Sequence, residues 1–348
     1  MRAYQIEGPG IVKEISVPIP EIQEDEVLVR VIYSGICATD YEILGGEMNL
    51  VKEGLIRYPV RFGHEFSGVV EKVGSKVTRF KVGDRVLSDS GVTCGKCQAC
   101  AEGRWADCPD IKSVGTVHCW DGSFAEYMHF PERHLYKLPE HLDMMECALI
   151  EPSSIALAGL QKAGQIAGKT IVIVGTGAIG MTAVAMCRCF DPGKVILVGR
   201  TDSKLEIGKT LGADVVINAR NEDLSARVME ETDGKGADFV LETSGNGDAV
   251  NDCVYLARYG GRVAYIGFYE RDDKSFPIET VVSRELTVCG VMGHFGAPGE
   301  VIRILEEKHP NLKPVISHVI SFDDVADAMM HPEKLGPRIK IMVKVSDL

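Results

Sequence analysis

From about Glu151 onward the chain repeats one pattern, an apolar run of four or five residues followed by a longer stretch with helix-like spacing. The runs are Ile171 to Val174, Val195 to Val198, Val215 to Ile217, Phe239 to Leu241 and Val263 to Ile266. Unbroken apolar runs of this length fit strands buried on both faces. Their alternation with helices predicts a parallel, doubly wound sheet joined by right-handed crossovers. The first third has another texture. Val27 to Ile32 alternates in part, Ser67 to Val73 is rich in β-branched residues, and Arg85 to Leu87 follows the turn Val82-Gly83-Asp84. Glycine and proline punctuate it throughout, which predicts a compact, irregular β-rich domain. The tail from about Arg284 mixes both signals and includes two amphipathic stretches, Pro298 to Lys308 and Asp323 to Met330.

Composition adds bounds. The 348 residues, 45% hydrophobic and 25% charged, are ordinary globular values and suggest two domains. A net charge of −12 argues against nucleic-acid or anionic-membrane partners, because phosphate surfaces require a basic face. No stretch approaches the ~20 apolar residues of a membrane span, and MRAYQIEGPG lacks the regions of a signal peptide, so a cytoplasmic location is expected. The cysteine count is odd, eleven, in a long chain without an export signal; thiols and metal thiolates are expected rather than disulfides.

Four of those cysteines form Cys94-Gly-Lys-Cys97-Gln-Ala-Cys100, then Cys108. Four thiolates complete a closed tetrahedral zinc shell with no position left for substrate, which predicts a structural site in a lobe at about 90–110. The usual ferredoxin spacings differ from this one. A second constellation is spread over Gly35-Ile-Cys37-Ala-Thr39-Asp40, Gly63-His64-Glu65 and Glu151-Pro152. Thiolate, imidazole and carboxylate are the ligand types of a catalytic zinc, although spacing alone does not prove one, since isolated Cys and His residues are more often packed. There the metal would act as a Lewis acid, and Thr39, two residues after Cys37, is a hydroxyl placed to start a proton exit.

A third motif follows the first apolar run: Gly175-Thr176-Gly177-Ala178-Ile179-Gly180, leading into the apolar helix Met181 to Cys187. Between strand and helix, the first glycine makes the turn, the second admits a pyrophosphate and the third permits close packing, with the helix N-terminus facing the phosphates. About twenty residues on, an NAD enzyme ends its second strand with an acid that holds the adenosine ribose. This chain has Val198-Gly199-Arg200-Thr-Asp202-Ser-Lys204. A cation in place of the acid favours the 2′-phosphate of NADP, while Asp202 keeps a ribose ligand, and so NAD, open.

These motifs, with Gly68 and Gly74, Val82-Gly83-Asp84-Arg85-Val86 and Gly122-Ser-Phe-Ala-Glu126-Tyr127, resemble the zinc-containing medium-chain dehydrogenase/reductase family over essentially the whole chain. The resemblance implies a GroES-like catalytic domain (residues 1–150 and 290–348) and an inserted Rossmann domain (residues 151–289). It implies two zinc ions per chain. Cys37 and His64 look like direct ligands of the catalytic zinc, with Glu65 and Glu151 as ligands directly or through water; Cys94, Cys97, Cys100 and Cys108 would hold the structural one. Gly199 and Arg200 would meet the adenosine end of the cofactor, Gly267-Phe268 and the Val291-Met292 region would contact its nicotinamide, and Lys204 and Thr243 are further cofactor-binding candidates. Relatives are homodimers or homotetramers.

Glu151-Pro152-Ser153-Ser154 resembles the polyol group of that family, which includes sorbitol, xylitol and threonine dehydrogenases. Three positions depart from it. Glu42 stands where many relatives carry a relay histidine, Gly293-His294-Phe295 lacks the Arg-Tyr pair of sorbitol dehydrogenases, and Gly199-Arg200 replaces the NAD-type acid. The expectation is hydride transfer between NADP(H) and a secondary alcohol or ketone, most simply a polyol and its ketose. An amino-alcohol enzyme of the threonine type is the alternative, with Glu42 or Glu47 facing an ammonium. A nucleotide-binding relative without catalysis is a third reading, disfavoured by the complete set of ligand residues.

Overall fold

The computed structural model describes every residue except 268, 270–274 and 294. Two compact units emerge, Met1–Glu151 with Ile316–Leu348, and Pro152–Val315.

In the first unit β1 (Arg2–Gly8) and β2 (Ile11–Ser16) form a hairpin. The main sheet comprises β3 (Glu26–Ile36), β4 (Glu65–Val73), β5 (Arg85–Ser88), β8 (Tyr127–Pro131), β9 (Leu135–Lys137), β16 (Ile316–Ser321) and β17 (Lys340–Lys344). Its order is β16-β17-β3-β4-β5-β9, with β8 also on β3. Between β5 and β8, the short pair β6 (Gly91–Val92) and β7 (Lys112–Ser113) closes the base of the cysteine lobe. The longest strand is β3, because its valines serve a core: Val27, Val29 and Val31 pack with Phe66, Val70, Val86 and Phe130. Each such side chain, once removed from water, contributes ~1.5–3 kcal/mol. The far end of β3 enters a second core with Tyr4, Ile43, Phe62 and Phe124, and it is this end that carries Gly35, Ile36 and then Cys37.

In the second unit all five apolar runs are strands: β10 (Thr170–Val174), β11 (Lys194–Gly199), β12 (Val215–Asn218), β13 (Ala237–Glu242) and β14 (Ala257–Tyr265). A sixth, β15 (Thr287–Gly290), completes a wholly parallel sheet ordered β12-β11-β10-β13-β14-β15. Ile171, Val172 and Ile173 are all 0% exposed, so successive side chains on opposite faces are equally covered, as the unbroken run requires. The strand order reverses between β10 and β13, the point where doubly wound sheets bind ligands.

The return to the first unit comes later than the expected residue 290. The helix Ala297–Lys308 buries Val301, Ile302, Ile304 and Leu305 within the second unit, and the chain rejoins the first only at Ile316, where β16 pairs with β17. An amphipathic helix pattern shows that a face is buried but not against which sheet.

A candidate metal centre, a cysteine lobe and a nucleotide-binding turn

Cys37 is the N-cap of the helix Ala38–Gly45. Its side chain accepts from the third helical N–H, while Asp40 Oδ2 accepts from the Cys37 amide at 2.9 Å. This reciprocal cap fixes the sulfur at the N-terminal end of the helix. On the next strand Glu65 opens β4 opposite Gly35, and a Cβ at Gly35 would lie 2.2 Å from the Glu65 carboxylate; glycine at 35 makes room for the acid. His64 follows Gly63, whose φ of +93° and closeness to Phe124 (2.6 Å from a built Cβ) exclude larger residues.

Cys37, His64 and Glu65 thereby bring one ligand atom each within 4.8 Å of one another. Burial opposes a charged imidazole, yet Cys37, then Asp40 and Glu151, hold the His64 pKa well above its ordinary value, while burial pushes the Asp40 and Glu151 carboxyls up. His64 Nδ1 and Asp40 Oδ1, 4.0 Å apart, are buried without hydrogen-bond partners among the described residues. A thiolate, an imidazole and carboxylates around unsatisfied polar atoms fit zinc. Glu151, in the first turn of the helix Ile150–Gln161, stands outside the three-residue cluster although its charge acts on His64; its Oε1 accepts from Ser90 Oγ at 3.0 Å. Thr39 Oγ1 lies 3.7 Å from the Cys37 sulfur. Glu42 is on the same short helix, one turn beyond. Glu47 is in an exposed ion pair with Lys52 at 3.0 Å.

The four lobe cysteines form the second cluster. Tetrahedral coordination with ~2.3 Å metal–sulfur bonds puts sulfurs about 3.8 Å apart; the Cys94–Cys100 and Cys97–Cys100 separations are 3.9 and 3.5 Å. Backbone amides of Lys96 and Cys97 push the Cys94 thiol below its ordinary pKa, towards the thiolate a metal takes.

In the second unit the glycine motif joins β10 to the helix Ala178–Arg188, with Gly177 as N-cap. A Cβ on Gly175 would lie 2.5 Å from Thr243 Oγ1, and one on Gly180 2.0 Å from the Gly175 carbonyl, whereas Gly177 faces nothing within 4 Å. Two glycines are required by packing and the third keeps a surface open, the division a pyrophosphate turn needs. Thr243, just past β13, is fixed by its amide and hydroxyl on the Val174 carbonyl, at 2.8 and 2.9 Å. At the end of β11 a Cβ on Gly199 would meet Thr176 Cγ2 at 2.4 Å, so an acid there is excluded by space as well as by sequence. Asp202, the other ribose candidate, begins the helix Asp202–Thr210 with its Oδ1 2.5 Å from Asn218 Nδ2. Arg200 is exposed and Lys204 lies on that helix. Gly267 approaches Gly245 closely (2.5 Å from a built Cβ), and Met292 is exposed. Phe268 and His294 lie outside the described residues.

Residues 23–140 match the alcohol dehydrogenase GroES-like domain, and 178–307 the zinc-binding dehydrogenase domain. The sequence is 33% identical to sorbitol dehydrogenase of Bacillus subtilis, over 94% of this chain and 92% of that one. It is 34% identical to L-threonine 3-dehydrogenase of Bacillus velezensis, over 88% of each. The chain belongs to the zinc-binding dehydrogenase family. A protein from Sinorhizobium meliloti assigned to the zinc-binding dehydrogenases, solved with NADP, superposes with a TM-score of 0.90 at 30% identity, over 99% of each chain.

In this zinc-binding dehydrogenase, sequence reasoning missed Lys340. Its Nζ is 2.6 Å from both Glu65 oxygens and 2.9 Å from the Ile36 carbonyl, and it is 3% exposed. Lys340 therefore ties together the strand ends that deliver Cys37 and His64, and engages the carboxylate expected to face the metal. Its only sequence signal is a charge at an inward position of the short run Lys340-Ile-Met-Val. Ser90, on Glu151, carried no motif at all.

Proposed function

We propose that this dehydrogenase oxidises a polyol at a secondary hydroxyl, or reduces the corresponding ketose, with NADP(H) preferred over NAD(H). Cys37, His64, Glu65 and Glu151 hold one zinc and Cys94, Cys97, Cys100 and Cys108 the other, two per chain. The observation that carries the chemistry is the convergence of Cys37, His64 and Glu65 within 4.8 Å, with Asp40 and Glu151 close enough to act on His64. The Glu151-Pro152 pair and the likeness to a sorbitol dehydrogenase support the polyol class. When bound, zinc supplies Lewis acidity towards the alcohol oxygen and the nicotinamide accepts the hydride. Thr39, beside Cys37, receives the hydroxyl proton and passes it outward, with Glu42 the next acidic group on the same helix. Asp40 fixes the Cys37 loop through its amide, and Lys340 fixes Glu65, so that the donors are arranged before substrate arrives. The protein works in the cytoplasm; no helix among the described residues is long and apolar enough to cross a membrane. Assembly is as a homodimer or homotetramer, for which β15, at the edge of its sheet beside exposed Val282 and Met292, is the candidate surface.

Xylitol, sorbitol, galactitol and threonine, each assayed with NADP and NAD, test the class. Turnover of at least one polyol is expected, faster with NADP; turnover of threonine alone would move the assignment to the amino alcohols. That second reading draws on the threonine dehydrogenase relative and on Glu42, while the pairing of Glu47 with Lys52 weighs against Glu47 as its ammonium ligand.

Cofactor preference has its own test. Arg200→Ala is expected to weaken NADP by ~1.5–3 kcal/mol, roughly 10- to 150-fold in KM, with little change for NAD, because one charge-assisted phosphate contact is lost. Equal losses for the two cofactors would rule out a phosphate role.

A further inference from the structure

The segment from Ser88 to Cys94 runs between the two proposed metal sites, with Ser90 bonded towards each of them and Asp89 and Thr93 tied to the neighbouring residues 133–136. Ser90 donates to Glu151 Oε1 at 3.0 Å. Its carbonyl accepts from Val114 at 2.8 Å, extending the β6–β7 pair that closes the cysteine lobe. Asp89, on the other side, donates its amide to the His134 carbonyl at 2.9 Å, and its carboxylate accepts from Tyr136 Oη at 3.0 Å. His134 Nε2 accepts from the Thr93 amide at 3.1 Å, and Arg133 donates to the Thr93 carbonyl at 2.5 Å. Thr93 then leads directly into Cys94. Asp89, Thr93 and His134 are buried, so the strap has little room to shift one end without the other.

We propose that this strap couples the two zinc sites: the lobe's metal holds Ser90 in register, and Ser90 holds the Glu151 carboxylate where the catalytic metal needs it. The physical argument is one of constraint. With the lobe filled, four Cys–metal bonds fix the loop from Cys94 to Cys108 and so the β6–β7 ladder at its base. An empty lobe leaves that loop free and the two-residue ladder has few bonds of its own, so Ser90, although its partner Val114 stays in the core, loses the restraint that the lobe adds from the Cys94 side. Ser90 is thus a positioning residue, acting through Glu151. Outer partners of this kind alter metal affinity by roughly 10- to 100-fold. Linkage makes the effect reciprocal: a filled catalytic site tightens the lobe's hold on zinc by the same factor.

The inference rests on the two-zinc reading above, which a metal count on the purified wild-type protein tests separately; fewer than two zinc per chain would remove that reading before the coupling is examined. Coupling is tested by zinc release into the chromogenic chelator 4-(2-pyridylazo)resorcinol, with each phase assigned by metal content. Ser90→Ala is expected to speed release from the catalytic site at least tenfold while the lobe stays filled, and Ser90→Thr, which keeps the hydroxyl, to restore the slow rate. Cys97→Ser, which opens the lobe, should speed the same phase by a similar factor, and the double variant should add nothing. An unchanged rate in Ser90→Ala, or factors that multiply in the double variant, would overturn the proposal. If Cys97→Ser yields no folded protein, the reciprocal measurement on wild type decides. The lobe's zinc affinity should be at least tenfold weaker with the catalytic site empty than filled, and equal affinities would overturn the coupling.

Discussion

Cys37→Ser is expected to lower kcat/KM about a thousandfold or more and to leave one zinc per chain instead of two. The magnitude follows from what the metal contributes. Lewis-acid stabilisation of the developing alkoxide is worth several kcal/mol, and each ~1.4 kcal/mol is tenfold in rate, so loss of about 4 kcal/mol gives three orders of magnitude. Serine keeps the helix cap, since its oxygen accepts from the same backbone N–H that the Cys37 sulfur now does. The fold should persist, and a melting temperature within a few degrees of wild type is the control. The lobe's own zinc should also persist, because four sulfurs close its shell and the roughly tenfold weakening expected from the coupling above still leaves so tight a site filled. NADP binding, followed by fluorescence titration, should be retained, since the glycine turn belongs to the other compact unit. Two zinc ions and activity within tenfold of wild type would contradict the assignment of Cys37.

How much of this was legible in the sequence depends on the range over which each feature is determined. The runs from Ile171 to Ile266 declared their sheet because burial on both faces leaves a local signature, four or five apolar residues in succession. The cysteine lobe was equally legible, as its ligands are close in sequence. Gly175, Gly177 and Gly180 could be named, and the structure adds that Gly199 is demanded by Thr176, so the missing acid and the tight contact are two aspects of one position. The end of the second unit was not legible. Ala297–Lys308 has a clear amphipathic pattern, but the pattern does not name its partner, and the boundary falls at Ile316 rather than 290. Ser90 sits in a run of small polar residues that has no period. Glu65 was expected to face the metal and does approach Cys37 and His64, yet nothing nearby in the chain announced that its oxygens also meet a lysine 275 residues away.

That lysine carries the other large expected effect. Lys340→Met should destabilise the first unit by about 3–5 kcal/mol, because it leaves the Glu65 carboxylate buried, 1% exposed, without its counter-charge. For a unit of this size the thermal midpoint should fall by roughly 6–20 °C. Burial opposes charge on the Lys340 ammonium, but Glu65 and Cys37 outweigh it and raise its pKa, so the lysine stays charged throughout the neutral range. Because the folded value lies above the unfolded one, the lysine's contribution is fully present below the unfolded pKa and is lost only as pH rises through the folded one. The lysine's own titration should accordingly add no pH dependence to stability between pH 6 and 8. Adding Glu65→Gln to Lys340→Met removes the stranded charge and should recover most of the lost stability, as apolar or neutral replacement of both members of a buried pair does elsewhere. Differential scanning calorimetry of the two single variants and the double one reads this directly. A double variant no more stable than Lys340→Met would place the lysine's role in its bond to the Ile36 carbonyl rather than in the ion pair. The metal count separates stability from ligand placement. If Lys340 also keeps Glu65 at the correct distance from Cys37 and His64, Lys340→Met should hold the catalytic zinc about 10- to 100-fold more weakly even at temperatures where it remains folded.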